Sequence, residues 1–203
     1  LYASNGEEVD RYSKVHLVPF GEYVPFEPLL GFIRHFVSIG RFSPGAEQTI
    51  FSIVTENQKI RIAAKFGVLI CYEDIFPDLV RQLCLDGADF LVNITNDAWF
   101  GKSSAPYQHA QASVFRAIEN RVPVVRSTNT GFSCFISAEG RVMASVKKDG
   151  EEIMVSGYQT HNLVLRKGRP FFTRFGDLSF WLAVAILLFA LKERHKNSGY
   201  SRL

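Results

Sequence analysis

The stretch GVLICYEDIFPDLVR, residues 67–81, decides the fold because its hydrophobic pattern changes within a few residues. Its first part lies in the continuous apolar run that forms the second half of residues 60–71, and such a run predicts a strand buried on both faces and ending at Cys71. Ile75 to Leu85 then follow helical spacing, and Pro77 fits a first helical turn. The sequence therefore predicts a strand-to-helix turn that begins at Cys71.

A cysteine in such a turn is a candidate nucleophile. It lies at the sheet edge and faces helix N–H groups, which lower the pKa of a thiol and can bind an oxyanion. The alternative is a structural role, because most free cysteines pack as small buried hydrophobic residues. The chain has three cysteines, and the spacing of Cys71, Cys84 and Cys134 matches neither a zinc site nor a disulfide framework.

Strands and helices alternate on the far side of this turn. The pattern predicts an α/β layered domain, with no repeat and no low-complexity tract. A length of 203 residues, with 47% hydrophobic and 21% charged residues, fits one sizeable core. A formal net charge of +3 without a basic block argues against a nucleic-acid partner. The predicted elements are strands at 90–94 and 123–127, a helix at 106–120, and a hairpin formed by 132–138 and 141–146.

Titratable residues on both sides of the turn are the candidate partners of Cys71. Lys14 precedes a strand-like run and Glu22 follows in a turn, although each could equally be a solvated surface residue. His16 and His109 are candidate general bases for a Cys–His pair. Neither histidine lies in a recognisable protease context, so a cysteine protease remains a minor alternative.

Two aromatic residues, Trp99 and Phe100, lie in the polar loop 93–101 that follows the second strand. Loops rich in aromatic and amide side chains often form a pocket wall. The same composition also fits a packed corner of the core.

The C-terminal run LSFWLAVAILLFAL, residues 178–191, contains fourteen residues without a charge. By its length it fits a buried helix, whereas Trp181 near one end and the following Lys and Arg residues fit a membrane edge. The start of the chain differs, because it opens on Leu1 and has no signal-peptide hydrophobic region. We therefore expect the chain to be a fragment.

Four long blocks carry a resemblance to a known family, and they occur in family order up to about Gly140. The chain resembles the apolipoprotein N-acyltransferases of the nitrilase, or carbon–nitrogen hydrolase, superfamily. The blocks are RYSKVHLVPFGEYVPFE (11–27), GVLICYEDIFPDLVR (67–81), NITNDAWFGKSSAPYQHAQ (93–111) and RAIENRVPVVRSTNTGFS (116–133).

The resemblance implies an α-β-β-α sandwich, incomplete at its N-terminus, with a Glu-Lys-Cys triad. By match to the family's motifs, Cys71 is the nucleophile and Lys14 the triad lysine. Glu22, Tyr72 and Glu73 match supporting positions, while Glu7 and Glu8 do not lie in the context of the triad glutamate. The family closes with a transmembrane helix, which favours one at 175–191, after a catalytic domain at 1–170 and before a basic tail at 192–203.

The implied reaction moves a fatty acyl group from a phospholipid, through a thioester on Cys71, to the N-terminal amine of a diacylated lipoprotein. The resemblance implies no cofactor and no metal, and it places the catalytic domain on the periplasmic side of the bacterial inner membrane. Without the triad glutamate, residues 1–203 alone are expected to be inactive. The alternatives are a soluble amidase acting on a small amide or nitrile, and a degenerate lipid- or partner-binding module.

Overall fold

The computed structural model describes residues 1–3, 5–37, 39–57, 60–165 and 167–200, and a six-stranded mixed sheet dominates them. The strands lie in chain order, with β2, β3 and β4 parallel and the other neighbours antiparallel. They are β1 Ile50–Asn57, β2 Ile60–Ile70, β3 Phe90–Thr95, β4 Val124–Thr128, β5 Cys134–Ile136 and β6 Val142–Ser145. The predicted strands, including the final hairpin, are confirmed.

Five α-helices and three short 3₁₀ helices accompany the sheet in the described residues. The helices Pro77–Leu85 and Ala105–Asn120 each have a proline in the first turn, where the N–H group that proline lacks is not needed. The α-helices are α1 Glu27–Leu30, α2 Pro77–Leu85, α3 Ala105–Asn120, α4 Phe171–Phe175 and α5 Leu178–Tyr200. The 3₁₀ helices are Gly31–His35, Cys71–Ile75 and Ala98–Phe100.

The main core lies between one face of the sheet and helices α2 and α3. Leu69, Leu91 and Val124, one from each of the three parallel strands, are fully buried there. Gly67 is required in β2 because a Cβ at that position would approach the side chain of Leu83 in α2 to 2.9 Å. The helices therefore pack directly against the sheet backbone.

The opposite face of the sheet is also apolar. The ring of Phe66 stacks between Phe51 and Phe90, with centroid distances of 5.2 Å to each. The described residues thus form one helix-covered sheet, which is a mixed α/β fold, and the complete α-β-β-α sandwich remains a prediction.

Strand β1 was missed by the sequence analysis. It pairs antiparallel with β2 over its full length, from Ile50 opposite Gly67 to Asn57 opposite Ile60. Between Lys14 and β1 the chain also has an apolar segment, residues 26–36. It consists mainly of α1 and the 3₁₀ helix Gly31–His35, where several large apolar side chains are exposed: Phe26, Leu29, Phe32 and Phe36.

The predicted transmembrane segment at 175–191 does not form one continuous helix, and in the described part of the chain no helix is both long and apolar enough to cross a bilayer. Residues 171–175 form the separate helix α4, which ends at Gly176 with a φ of 57°. The charge-free part of α5 is therefore limited to residues 178–191. Fourteen residues rise about 21 Å in a helix, less than the hydrocarbon core of about 30 Å.

Helix α4 packs against α2 and α3. The buried Thr173 hydroxyl donates to the side-chain oxygen of Asn120 at 2.9 Å, and Arg81 Nε donates to the carbonyl of Phe172 at 3.2 Å. The predicted domain limits of 1–170 and 192–203 remain predictions. The last three residues of the predicted basic tail lie outside the described residues.

Candidate active site

The candidate site lies where the parallel strands β2, β3 and β4 end. Carboxyl ends of parallel strands meet at one sheet edge, and this edge is the usual ligand site of open α/β sheets. Strand β2 ends directly before Cys71, and β3 ends two residues before Asp97. Residues from distant parts of the sequence are thereby brought to one place.

The backbone of Cys71 has a left-handed conformation, with a φ of 57°. A residue with a Cβ adopts this conformation at a cost in free energy, so the surroundings must hold it. Part of that support comes from β3, because the Asn93 side-chain amide donates to the Cys71 carbonyl at 3.1 Å. The backbone of Cys71 is therefore held in place at the start of the 3₁₀ turn Cys71–Ile75.

Exposure distinguishes the three thiols. Cys71 is partly exposed, whereas Cys84 and Cys134 are buried. Burial raises the pKa of the Cys84 thiol and of the Cys134 thiol to about 12. A thiolate is the reactive form of cysteine. Of the three, Cys71 is consequently the thiol available for chemistry.

Glu73 connects the Cys71 turn to the segment that carries Lys14. The carboxylate is fully buried, and its Oε1 accepts from the Tyr12 hydroxyl at 2.8 Å and from the backbone N–H groups of Val15 and His16 at 2.7 and 3.1 Å. Its Oε2 accepts from the N–H of Ile70 at 2.7 Å. One side chain thus binds both the residue next to Lys14 and the residue next to Cys71.

Lys14 forms an ion pair with Glu22. Its ammonium nitrogen lies 2.7 and 2.8 Å from the two carboxylate oxygens, and only 9% of the lysine side chain is exposed. Glu22 also accepts from the N–H of Val18 at 2.8 Å. The lysine side chain is therefore held against Glu22 at low exposure.

Aromatic residues surround the position after the thiol. The Tyr72 ring stacks on His109, with centroids 4.6 Å apart and planes inclined by 18°, and Phe100 meets it edge-on at 6.3 Å. Burial, and then the negative charges of Cys71, Asp97 and Asp74, raise the pKa of Tyr72. The Trp99 side chain is 86% exposed. The structure thus brings Phe100, but not the Trp99 ring, against Tyr72.

A buried ion network beneath the turn was not predicted. Arg126 Nη1 donates to Asp74 Oδ2 at 2.8 Å and Nη2 to Asp97 Oδ2 at 3.3 Å, while His109 bridges the same two carboxylates. Ser113 donates to Asp74 at 2.5 Å. The available signal was an arginine within the apolar strand sequence VVRST, because a buried arginine requires carboxylate partners.

Neither histidine forms a Cys–His pair. Asp97 Oδ1 lies 2.8 Å from His109 Nδ1 and Asp74 Oδ1 lies 3.1 Å from Nε2, so both ring nitrogens are occupied by carboxylates. His16 is exposed and packs its ring on Phe76 at 4.6 Å. The two N-terminal glutamates have local partners, Glu7 with Asn5 and Glu8 with Arg11.

The site combines a partly exposed cysteine at a strand-to-helix turn with a carboxylate, Glu73, that joins the end of β2 to the segment carrying Lys14. This defines a class of α/β domain with an accessible thiol at a parallel sheet edge. The chain belongs to the carbon–nitrogen hydrolase family, whose model matches residues 1–163. This confirms the resemblance drawn from the four sequence blocks.

Relatives of this chain carry the name apolipoprotein N-acyltransferase. The Geobacter metallireducens protein is 44% identical over 195 residues, which is 95% of this chain and 35% of that protein. The Allorhizobium ampelinum protein is 36% identical over 94% of this chain and 34% of its own length. The chain therefore spans about a third of the length of these relatives.

A solved structure with a similar fold is Saccharomyces cerevisiae Nit3, a member of branch 10 of the nitrilase superfamily. It is 25% identical, with a TM-score of 0.47, and the match covers 73% of this chain and 48% of Nit3.

Proposed function

We propose that the protein is an N-acyltransferase that moves a fatty acyl group from a phospholipid to the N-terminal amine of a diacylglyceryl-cysteine in lipoproteins. The observation that carries the proposal is the Glu73 carboxylate, which binds the lysine-bearing segment and the end of β2 at once. The names of the relatives support N-acylation of a lipoprotein acceptor. The fold alone would fit many other acyl transfers.

In the first step the Cys71 thiolate attacks the ester carbonyl of the phospholipid. A carbon–sulfur bond forms, the tetrahedral intermediate collapses, and the lysophospholipid leaves as an alcohol after taking up a proton. Lys14 contributes a fixed positive charge that stabilises the oxyanion of the intermediate. The product of this half-reaction is a thioester on Cys71.

In the second step the free amine of the lipoprotein attacks the thioester. The carbon–nitrogen bond forms, the carbon–sulfur bond breaks, and the proton lost by the amine allows the Cys71 thiol to be regenerated. A general base is required in both steps. The family's Glu-Lys-Cys pattern assigns that role to a glutamate, and we assign it to none of the described carboxylates.

The exposed apolar side chains between Lys14 and Cys71 support a lipid donor. Phe26, Leu29 and Phe36 are 79%, 74% and 82% exposed. Exposed apolar patches on a soluble surface mark sites that bind apolar partners. The proposed donor is a membrane phospholipid, and the proposed acceptor is a protein that carries a diacylglyceryl lipid. We therefore place the whole protein at the inner membrane of a bacterium, with the site on the periplasmic side.

The test compares two cysteine variants of the full-length protein, incubated with vesicles of phospholipid that carry a labelled acyl chain. Cys71→Ala should abolish the labelled thioester seen by mass spectrometry, whereas Cys84→Ala should leave its formation nearly unchanged. Equal effects of the two substitutions would overturn the assignment of the nucleophile. Hydrolysis of a small amide with no acyl transfer would instead indicate an amidase.

A further inference from the structure

Two neighbouring carboxylates hold the Cys71 turn from opposite sides. Glu73 and Asp74 are both fully buried, although they are consecutive residues. Glu73 binds the lysine-bearing segment, as described above. Asp74 points into the core and accepts from Ser113 and His109 of α3 and from Arg126 of β4.

His109 contacts this turn at two places. Its Nε2 lies 3.1 Å from Asp74 Oδ1, and its ring stacks on Tyr72 with centroids 4.6 Å apart. Tyr72 follows Cys71 directly, and Asp74 lies in the same 3₁₀ turn. One side chain of α3 therefore touches the residues on which the direction of the thiol depends.

The surroundings favour a doubly protonated ring. Each ring nitrogen faces a carboxylate oxygen, and carboxylates accept only. Burial opposes this charge, but the hydrogen bonds to Asp74 and Asp97 outweigh it and raise the pKa of His109. With Arg126 as the second cation, two positive groups balance two carboxylates. The imidazolium is thus a stable part of the core and not a proton acceptor.

We propose that His109 is a positioning residue, which acts through Tyr72 and Asp74 to hold Cys71 in its left-handed backbone conformation for attack. This inference rests on the proposed function, because it concerns the same thiol. Without the stack and the hydrogen bond, the turn is free to relax to a more ordinary conformation. The thiol then loses its orientation at the sheet edge.

The experiment uses the full-length protein with the single variants His109→Gln and Tyr72→Leu and the corresponding double variant. His109→Gln removes the ring but keeps a hydrogen-bond donor, and Tyr72→Leu removes the stack while the ion network stays intact. The control Val114→Ala trims a residue of α3 that packs on the core away from the turn. Melting temperature, iodoacetamide alkylation of Cys71 by mass spectrometry, and thioester formation with phospholipid vesicles are measured for each.

We expect both single variants to lower the rate of Cys71 alkylation at least fivefold and the rate of thioester formation at least tenfold. The double variant should be no slower than the slower single variant, because both changes break one link. Val114→Ala should lower the melting temperature and leave both rates within twofold of the parent. A folded single variant that keeps the parent alkylation rate, or a double variant with multiplied effects, would overturn the inference.

The alkylation rate separates this inference from the proposed function. If the parent forms no thioester but the variants still slow alkylation, the acyltransferase proposal fails and the positioning role stands. If His109→Gln does not fold, Tyr72→Leu alone decides, and an unchanged alkylation rate in that variant would overturn the role.

Discussion

The two sides of the Cys71 turn are held by different kinds of structure. On the lysine side, Glu73 and Glu22 bind a segment without regular secondary structure, and the Lys14–Glu22 pair is partly accessible. On the helix side, Asp74 joins a fully buried network anchored in α3 and β4. Neighbouring carboxylates therefore have different tasks: Glu73 joins the segment that carries the lysine charge to the turn, and Asp74 fixes the turn to a core network whose loss should cost the most stability.

The largest expected effect is on the helix side. Arg126→Met should lower the free energy of unfolding by about 3–5 kcal/mol, because it leaves Asp74 and Asp97 buried with one cation fewer. Chemical denaturation measures this change. Arg141→Met, at an exposed position, is the control and should stay within about 0.5 kcal/mol of the parent. Similar values for the two variants would remove the distinction between the sides.

Substitution of Lys14 should lower the rate of thioester formation and leave the free energy of unfolding nearly unchanged. Lys14→Met should slow thioester formation about 100- to 1,000-fold, the usual cost of one lost oxyanion donor. Its unfolding free energy should change by about 1 kcal/mol or less, since the pair with Glu22 is partly solvated. Single-turnover labelling measures the rate, and Lys102→Met, which breaks an exposed pair with Glu151, is the control. A rate within threefold of the parent would contradict the role of Lys14.

Glu73→Gln tests the link between the two segments. The new amide would place donors opposite the N–H of Ile70 or the donors of residues 12–16, so one group remains unsatisfied. We expect a loss of about 1–3 kcal/mol of stability, together with slower thioester formation. Denaturation of Glu73→Gln beside the exposed control Glu47→Gln gives the comparison. Full activity in the destabilised variant would show that the link is not needed for chemistry.

The smallest effect is a pH dependence on the helix side. The pKa of His109 in the folded protein is raised above its ordinary 6.5. Burial and the charge of Arg126 lower this pKa, but the hydrogen bonds to Asp74 and Asp97 raise it by more. Its stabilising contribution is therefore complete below the unfolded pKa and is lost as pH rises through the folded pKa. The difference in unfolding free energy between the parent and His109→Gln should thus be larger near pH 6 than near pH 9. A difference independent of pH would contradict an imidazolium at this position.

The sequence predicted those elements whose pattern is local. The apolar run before Cys71, the proline-started helices and the final hairpin each have a signal within a few residues, and all are present. Strand β1 was missed because its stability comes from pairing with β2 and not from its own pattern. The predicted membrane segment at 175–191 is divided in the structure, because Gly176, with a φ of 57°, separates α4 from α5.

For the site, the sequence by itself determined which residue types the chemistry offers and which family they belong to. Cys71, Lys14, Glu22 and Glu73 lie in contiguous motifs, and such motifs are readable without coordinates. Only the tertiary structure decided that Glu73 joins two of these motifs, and that His109 serves two carboxylates and not the thiol. The physical reason is that hydrogen bonds between residues 12–16, 70–74 and 109–126 depend on strand order and helix packing, which no local sequence pattern records.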